Sequence, residues 1–88
     1  LNSTITDRQT YNGWLNRATW NTHLWLTGND ENTYRIFTVV ARRGTVEAAA
    51  LRVKCACADL WGTKTPDGDD LSQVDWLHIA EALREGAN

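Results

Sequence analysis

Two histidines, two cysteines, two serines and a cluster of aspartates carry most of the reactive potential of this 88-residue chain. His23 and His78 have no Cys-x-x-Cys or His-x-x-x-His spacing beside them, so a zinc site would need a spatial cluster that the sequence does not announce. Asp67-Gly68-Asp69-Asp70 suggests calcium, but a twelve-residue loop counted from Asp67 closes on His78 where a bidentate glutamate is required. It reads instead as a solvated turn or an acidic protein-binding loop. Ser3 lies in a polar start, Ser72 beside the acidic loop, and Cys55 and Cys57 within a helical pattern, with no base arranged to activate any of them. Neither a nucleophile elbow nor a phosphate-cradling glycine loop is present. We expect no enzyme, no catalytic or metal site and no cofactor; His78 is expected in solvent and His23 hydrogen-bonded near the tryptophans.

Binding chemistry is better represented. Arg35, Arg42 and Arg43, joined by Arg52 and Lys54, form a basic face beside Tyr34 and the tryptophans, a pairing of cation and aromatic that suits an acidic protein surface or single-stranded nucleic acid. The plain alternative is a solvated helix face in which Glu31 pairs with Arg35 at i,i+4. Candidate partner-binding residues are therefore Arg35, Arg42, Arg43, Tyr34 and Trp25, with Asp67, Asp69 and Asp70 of the acidic loop. Net charge is −2, but residues 1–54 hold seven Lys/Arg against four Asp/Glu and residues 55–88 hold two against seven. A dedicated nucleic-acid binder would be basic overall, and a DNA mimic far more acidic. A dipolar protein that docks on another protein fits better, with direct nucleic-acid contact not expected.

The elements that must position these residues read as helices. Asn16 is a cap for a helix through about Thr27, stopped by Gly28, although a strand over Thr19 to Leu26 also fits. Asp30 caps a second helix over Glu31 to Arg43, with Tyr34, Ile36, Phe37, Val40 and Ala41 on one face and Glu31, Arg35, Thr38 and Arg42 on the other. After Gly44, Thr45 opens a third, whose Val46, Ala49, Ala50, Val53, Cys57, Leu60 and Trp61 form a stripe. That helix has a second apolar strip, Ala48, Leu51, Cys55 and Ala58, which points to a central helix packed on both sides or to a surface left open for a partner. Residues 62–70 form the long loop, and Asp75 caps a last helix facing inward through Trp76, Ile79, Ala80 and Leu83.

The expected fold is all-α: a compact single domain over residues 11–86, of about four short helices with a Trp-rich core, preceded by a loose segment over residues 1–10. Cys55 and Cys57 point about 200° apart on a helix and cannot bridge each other, so they are read as reduced. With neither a signal peptide, nor a membrane-length apolar run, nor a lipidation motif, the chain is expected in the cytoplasm without membrane contact. Its oligomeric state is not readable.

Three of five tryptophans fall within Trp14 to Trp25. The string Tyr11-Asn12-Gly13-Trp14, then Asn16, Thr19-Trp20-Asn21 and Leu24-Trp25, resembles the Y-N-G-W-x-N-x-x-T-W-N-x-x-L-W opening of a family of small proteins scattered through phages, plasmids and bacterial genomes. Val74-Asp75-Trp76 with Ile79-Ala80 resembles that family's V-[ND]-W-x-x-I-A close, so the likeness spans about residues 11–83. In size and opening the chain also resembles anti-CRISPR proteins acting against type I-C systems. That resemblance implies a stoichiometric inhibitor in the bacterial cytoplasm, binding a subunit of the Cascade surveillance complex and preventing engagement of target DNA, with no turnover. The motif itself reads as scaffold: Gly13 permits a turn from which Trp14 packs on Trp20 and Trp76, and Asn16 and Asp75 cap helices and hold the two ends together.

Overall fold

Each helix among the described residues starts where a side-chain oxygen takes up a backbone N–H that the helix itself leaves unpaired. The computed structural model describes residues 11–86, so the expectation of a loose segment over residues 1–10 lies outside the described residues. Helix α1 spans Arg17–Thr27, α2 Glu31–Ala41, α3 Val46–Trp61 and α4 Trp76–Gly86, with a short 3-10 turn at Leu71–Gln73 before the last. Asn16 Oδ1 accepts from the Thr19 N–H at 2.9 Å, Asp30 from Asn32, Thr45 Oγ1 from Ala48 at 3.1 Å, and Asp75 Oδ1 from His78 at 3.1 Å. At the other ends, Gly28 N–H donates to Leu24 O at 2.7 Å and Gly62, at φ +84°, donates to Ala58 O at 2.8 Å. The fold is an all-α single small domain, with no strand among the described residues and isolated bridges at Tyr11–Trp14 and Lys64–Asp70.

The core forms where α2, α3 and α4 meet, with α1 lying against α2, α4 and the 3-10 turn. Leu26, Phe37, Val53, Cys57, Ile79 and Leu83 fill it. Burial of each large apolar side chain stabilises by about 1.5–3 kcal/mol. The most extensive pairing is α3 with α4, where Ala49, Ala50 and Ala80 form a layer of small side chains bordered by Val46 and Trp76. Trp14, Trp61 and Trp76 pack on the core from its rim, each half-buried. Bulky indoles thereby cover the small interior that smaller apolar residues fill.

Two expectations about facing are corrected and one alternative is decided. On α2, Phe37, Thr38 and Ala41 are buried while Ile36 is 59% exposed, because α1, α3 and α4 meet this helix on a face rotated from the apolar stripe. The buried Thr38 hydroxyl has no hydrogen-bond partner among the described residues. On α3, Leu60 is exposed near the helix end rather than part of the buried stripe. Of the two readings of the second strip of α3, the open surface agrees with the structure and packing on both sides does not: Leu51, Cys55 and Ala58 are exposed, since the neighbouring helices meet α3 through Ala49, Ala50, Val53 and Cys57. The second helix also stops at Ala41, two residues before the expected Arg43, with Arg42 as its cap.

Candidate functional site

The Trp-rich opening folds into a tight turn. Asn12 and Gly13 have φ of +54° and +88°, as the two central residues of a type I′ turn require, and Tyr11 and Trp14 exchange backbone hydrogen bonds of 3.2 and 2.9 Å across it. The Tyr11 ring meets Trp20 edge-on at 5.1 Å. Trp14, expected on Trp20 and Trp76, instead has its ring contacts with His23 at 4.5 Å and His78 at 4.3 Å. His78 is half-buried, which corrects its expected place in solvent. Burial, and then the nearby charge of His78, holds the His23 imidazole below its ordinary 6.5.

Asn16 ties this opening to the far end of the chain. Its Oδ1 accepts from the Thr19 hydroxyl at 2.8 Å and its Nδ2 donates to Gln73 O at 2.8 Å, while Thr19 Oγ1 accepts from the Asp75 N–H at 3.0 Å. The two cap residues and Thr19 thus join the starts of α1 and α4. Asn16, Thr19 and Asp75 serve as scaffold here.

The acidic loop is fastened to α1. Asp67 Oδ2 accepts from Asn21 Nδ2 at 2.7 Å and from the Trp25 indole N–H at 3.0 Å, and these two bonds hold its carboxyl below the ordinary 3.8. Asp69 pairs with Arg17 at 2.9 Å. Asp70 caps the 3-10 turn through the Ser72 N–H at 2.9 Å, which likewise lowers its carboxyl. Beneath them Thr65 is buried and its Oγ1 accepts from Asp69 N–H at 3.0 Å. Asp67, Asp69, Asp70 and Trp25, all expected at a partner surface, therefore have partners within the chain.

The basic face divides in two. At the end of α2, where helix carbonyls lack intrahelical donors, Arg84 Nη1 donates to Ala41 O at 3.0 Å and Gly44 O at 3.1 Å, and Arg42 reciprocates onto Arg84 O at 3.3 and 3.2 Å. Arg52 donates to Arg43 O and Val40 O. The Arg43 side chain is exposed, and Arg35 reaches only Asn32 at 3.4 Å and Glu31 at 3.9 Å, an exposed pair of little energetic weight. Along the outer side of α2, Glu31, Tyr34, Arg35, Thr38, Val39 and Arg42 line a groove of about 290 Å³. The expected Tyr34, Arg35 and Arg42 are brought together there; Trp25 and Asp67 line a separate groove with Leu24 and Asn29. Val39, exposed at the groove, was absent from the candidates because it fell outside the apolar face assigned to that helix.

Among the described residues no three His, Cys, Asp or Glu side chains come together to hold a metal, and no helix is long and apolar enough to cross a membrane. Cys57 is buried, which pushes its thiol up to about 12, far from a thiolate nucleophile at neutral pH. The arrangement can recognise a surface of mixed charge and apolar character through cationic and aromatic contacts. No curated protein and no solved structure matches the chain. Over residues 7–85 it matches a family of unknown function (DUF7249), and on that extent the chain belongs to this family.

Proposed function

We propose that the protein is a non-enzymatic inhibitor that acts by occupying the surface of another protein, with the α2 groove as its docking face. The observation that carries this reading is the α2 groove itself: Arg35 presents an exposed charge beside Tyr34 and Val39, while the loop acids have partners within the chain. Aromatic and arginine side chains at the centre of a small surface are the usual anchors of protein interfaces. The partner follows from the resemblance to anti-CRISPR proteins: a subunit of a type I-C Cascade complex in the bacterial cytoplasm, held so that target DNA is not engaged. Capture of purified Cascade by the immobilised protein, with loss of the DNA gel shift at stoichiometric ratio, is the expected result. Failure to capture at low salt would overturn it.

A second reading, direct binding of single-stranded nucleic acid through Arg35, Arg42, Arg43 and Tyr34, has the same groove in its favour. Two features weigh against it. Glu31 sits in that groove, and Arg42 directs two of its donors to the carbonyl of Arg84. A shift of free oligonucleotide that collapses steeply with rising salt would establish this second reading instead.

A further inference from the structure

Helix α2 has a second flank, facing α3, that differs from the basic one. Val40, Leu51, Arg52, Cys55, Ala56 and Asp59 line a groove of about 440 Å³ there. Leu51 is 64% exposed on one side of it, and Ile36, one helical turn before Val40, extends the apolar surface along α2. Large apolar side chains grouped in this way mark an interaction surface more often than scattered ones do.

We propose that this groove is the interface of a symmetric dimer of the chain. The charge pattern selects a second copy as the occupant. Arg52 and Asp59 lie on the same border of the strip, seven residues or about two turns apart, with Cys55 near their midpoint. In an isologous interface residue i of one copy meets j of the other and j meets i. Pairing two α3 helices antiparallel about a two-fold axis near Cys55 brings each Arg52 to Asp59 of the other copy, and each Leu51 to the Ala58 end of the opposing strip. The strip is therefore complementary to itself in charge as well as apolar character.

Arg52 is prepared for this contact. Its Nη2 is directed to the carbonyls of Arg43 and Val40, so the guanidinium is held at the groove edge and keeps further donors for a carboxylate. Asp59 is exposed and forms no salt bridge within the described residues. The interface uses the flank of α2 opposite Arg35, so a dimer would carry two basic grooves.

Sedimentation equilibrium of the whole chain, without any partner, tests the assignment. The weight-average mass should rise with concentration toward twice 9.9 kDa. Leu51→Glu and Asp59→Arg should each weaken self-association by about tenfold or more, as loss of a central interface contact does. Both positions are exposed, and unchanged circular dichroism and melting would show that the variants remain folded. A short bismaleimide should join the wild-type chains through Cys55, Cys57 being buried, and should lose its yield in Leu51→Glu. A wild-type mass that stays monomeric at the highest attainable concentration would overturn the proposal. So would a dimer indifferent to both substitutions, or a Leu51→Glu chain that loses capture of Cascade while its self-association is unchanged.

Discussion

The acidic loop and the basic face of α2 look alike in the sequence, each a polar stretch rich in one sign of charge, yet the molecule uses them differently. The loop closes part of its own backbone, Thr65 N–H on Asp69 O and Gly68 N–H on Thr65 O, and side chains then fasten it: Asp67 to Asn21 and Trp25, Asp69 to Arg17, Asp70 to the next turn. The middle of a helix satisfies its own backbone, so Arg35 remains at the surface. At the end of the same helix the orphan carbonyls draw in Arg84 and Arg52. Whether a charge is available to a partner follows from what the fold places beside it: side-chain donors of α1 at the loop, orphan carbonyls at the end of α2.

Substitutions can sharpen or break this contrast. The shared core sets the scale: Leu83→Ala, at a fully buried site, should destabilise by about 2–5 kcal/mol in a urea melt. Asn21→Ala removes a fully buried donor from beneath the acidic loop and should cost about 1–3 kcal/mol. An unchanged midpoint there would mean that the loop is not anchored, and the contrast would fail.

Acidification should produce a further loss. His23 binds a proton less readily in the folded chain than its ordinary 6.5, so below that pH the unfolded state takes up more protons. Stability should be full above about pH 6.5 and fall as the pH drops toward the lower folded value. In His23→Gln the slope across that window should flatten; an identical slope would place the titration elsewhere. The smallest effect is expected on the other side of the comparison. Arg35→Ala combined with Arg43→Ala should leave the melt within about 0.5 kcal/mol of wild type while reducing Cascade capture, and full retained capture would remove this face from the docking surface.

Much of the fold was legible because its signals are local. Asn16, Asp30, Thr45 and Asp75 announce helix starts, and Gly28 announces a stop, without reference to anything distant. The rotation of each helix was less so. Thr38 is buried and Ile36 exposed because of where the neighbouring helices lie, which periodicity alone does not encode. The site was legible as a set of residue types and not as a geometry. Trp25 and Asp67 meet across 42 positions, as do Arg42 and Arg84, and both histidines converge on Trp14 from different helices. No spacing rule reaches that far, so residues that fasten the chain looked the same as residues that face outward.

The bond from Asn16 to Gln73 spans 57 positions, most of the domain. Closing so long a stretch of chain costs more entropy than forming the short connection between α2 and α3. The lock between the first and last helices is therefore expected to form late on the folding pathway, after the α2–α3 hairpin has provided a surface to close upon. Its presence would then govern how slowly the finished domain comes apart more than how quickly it assembles.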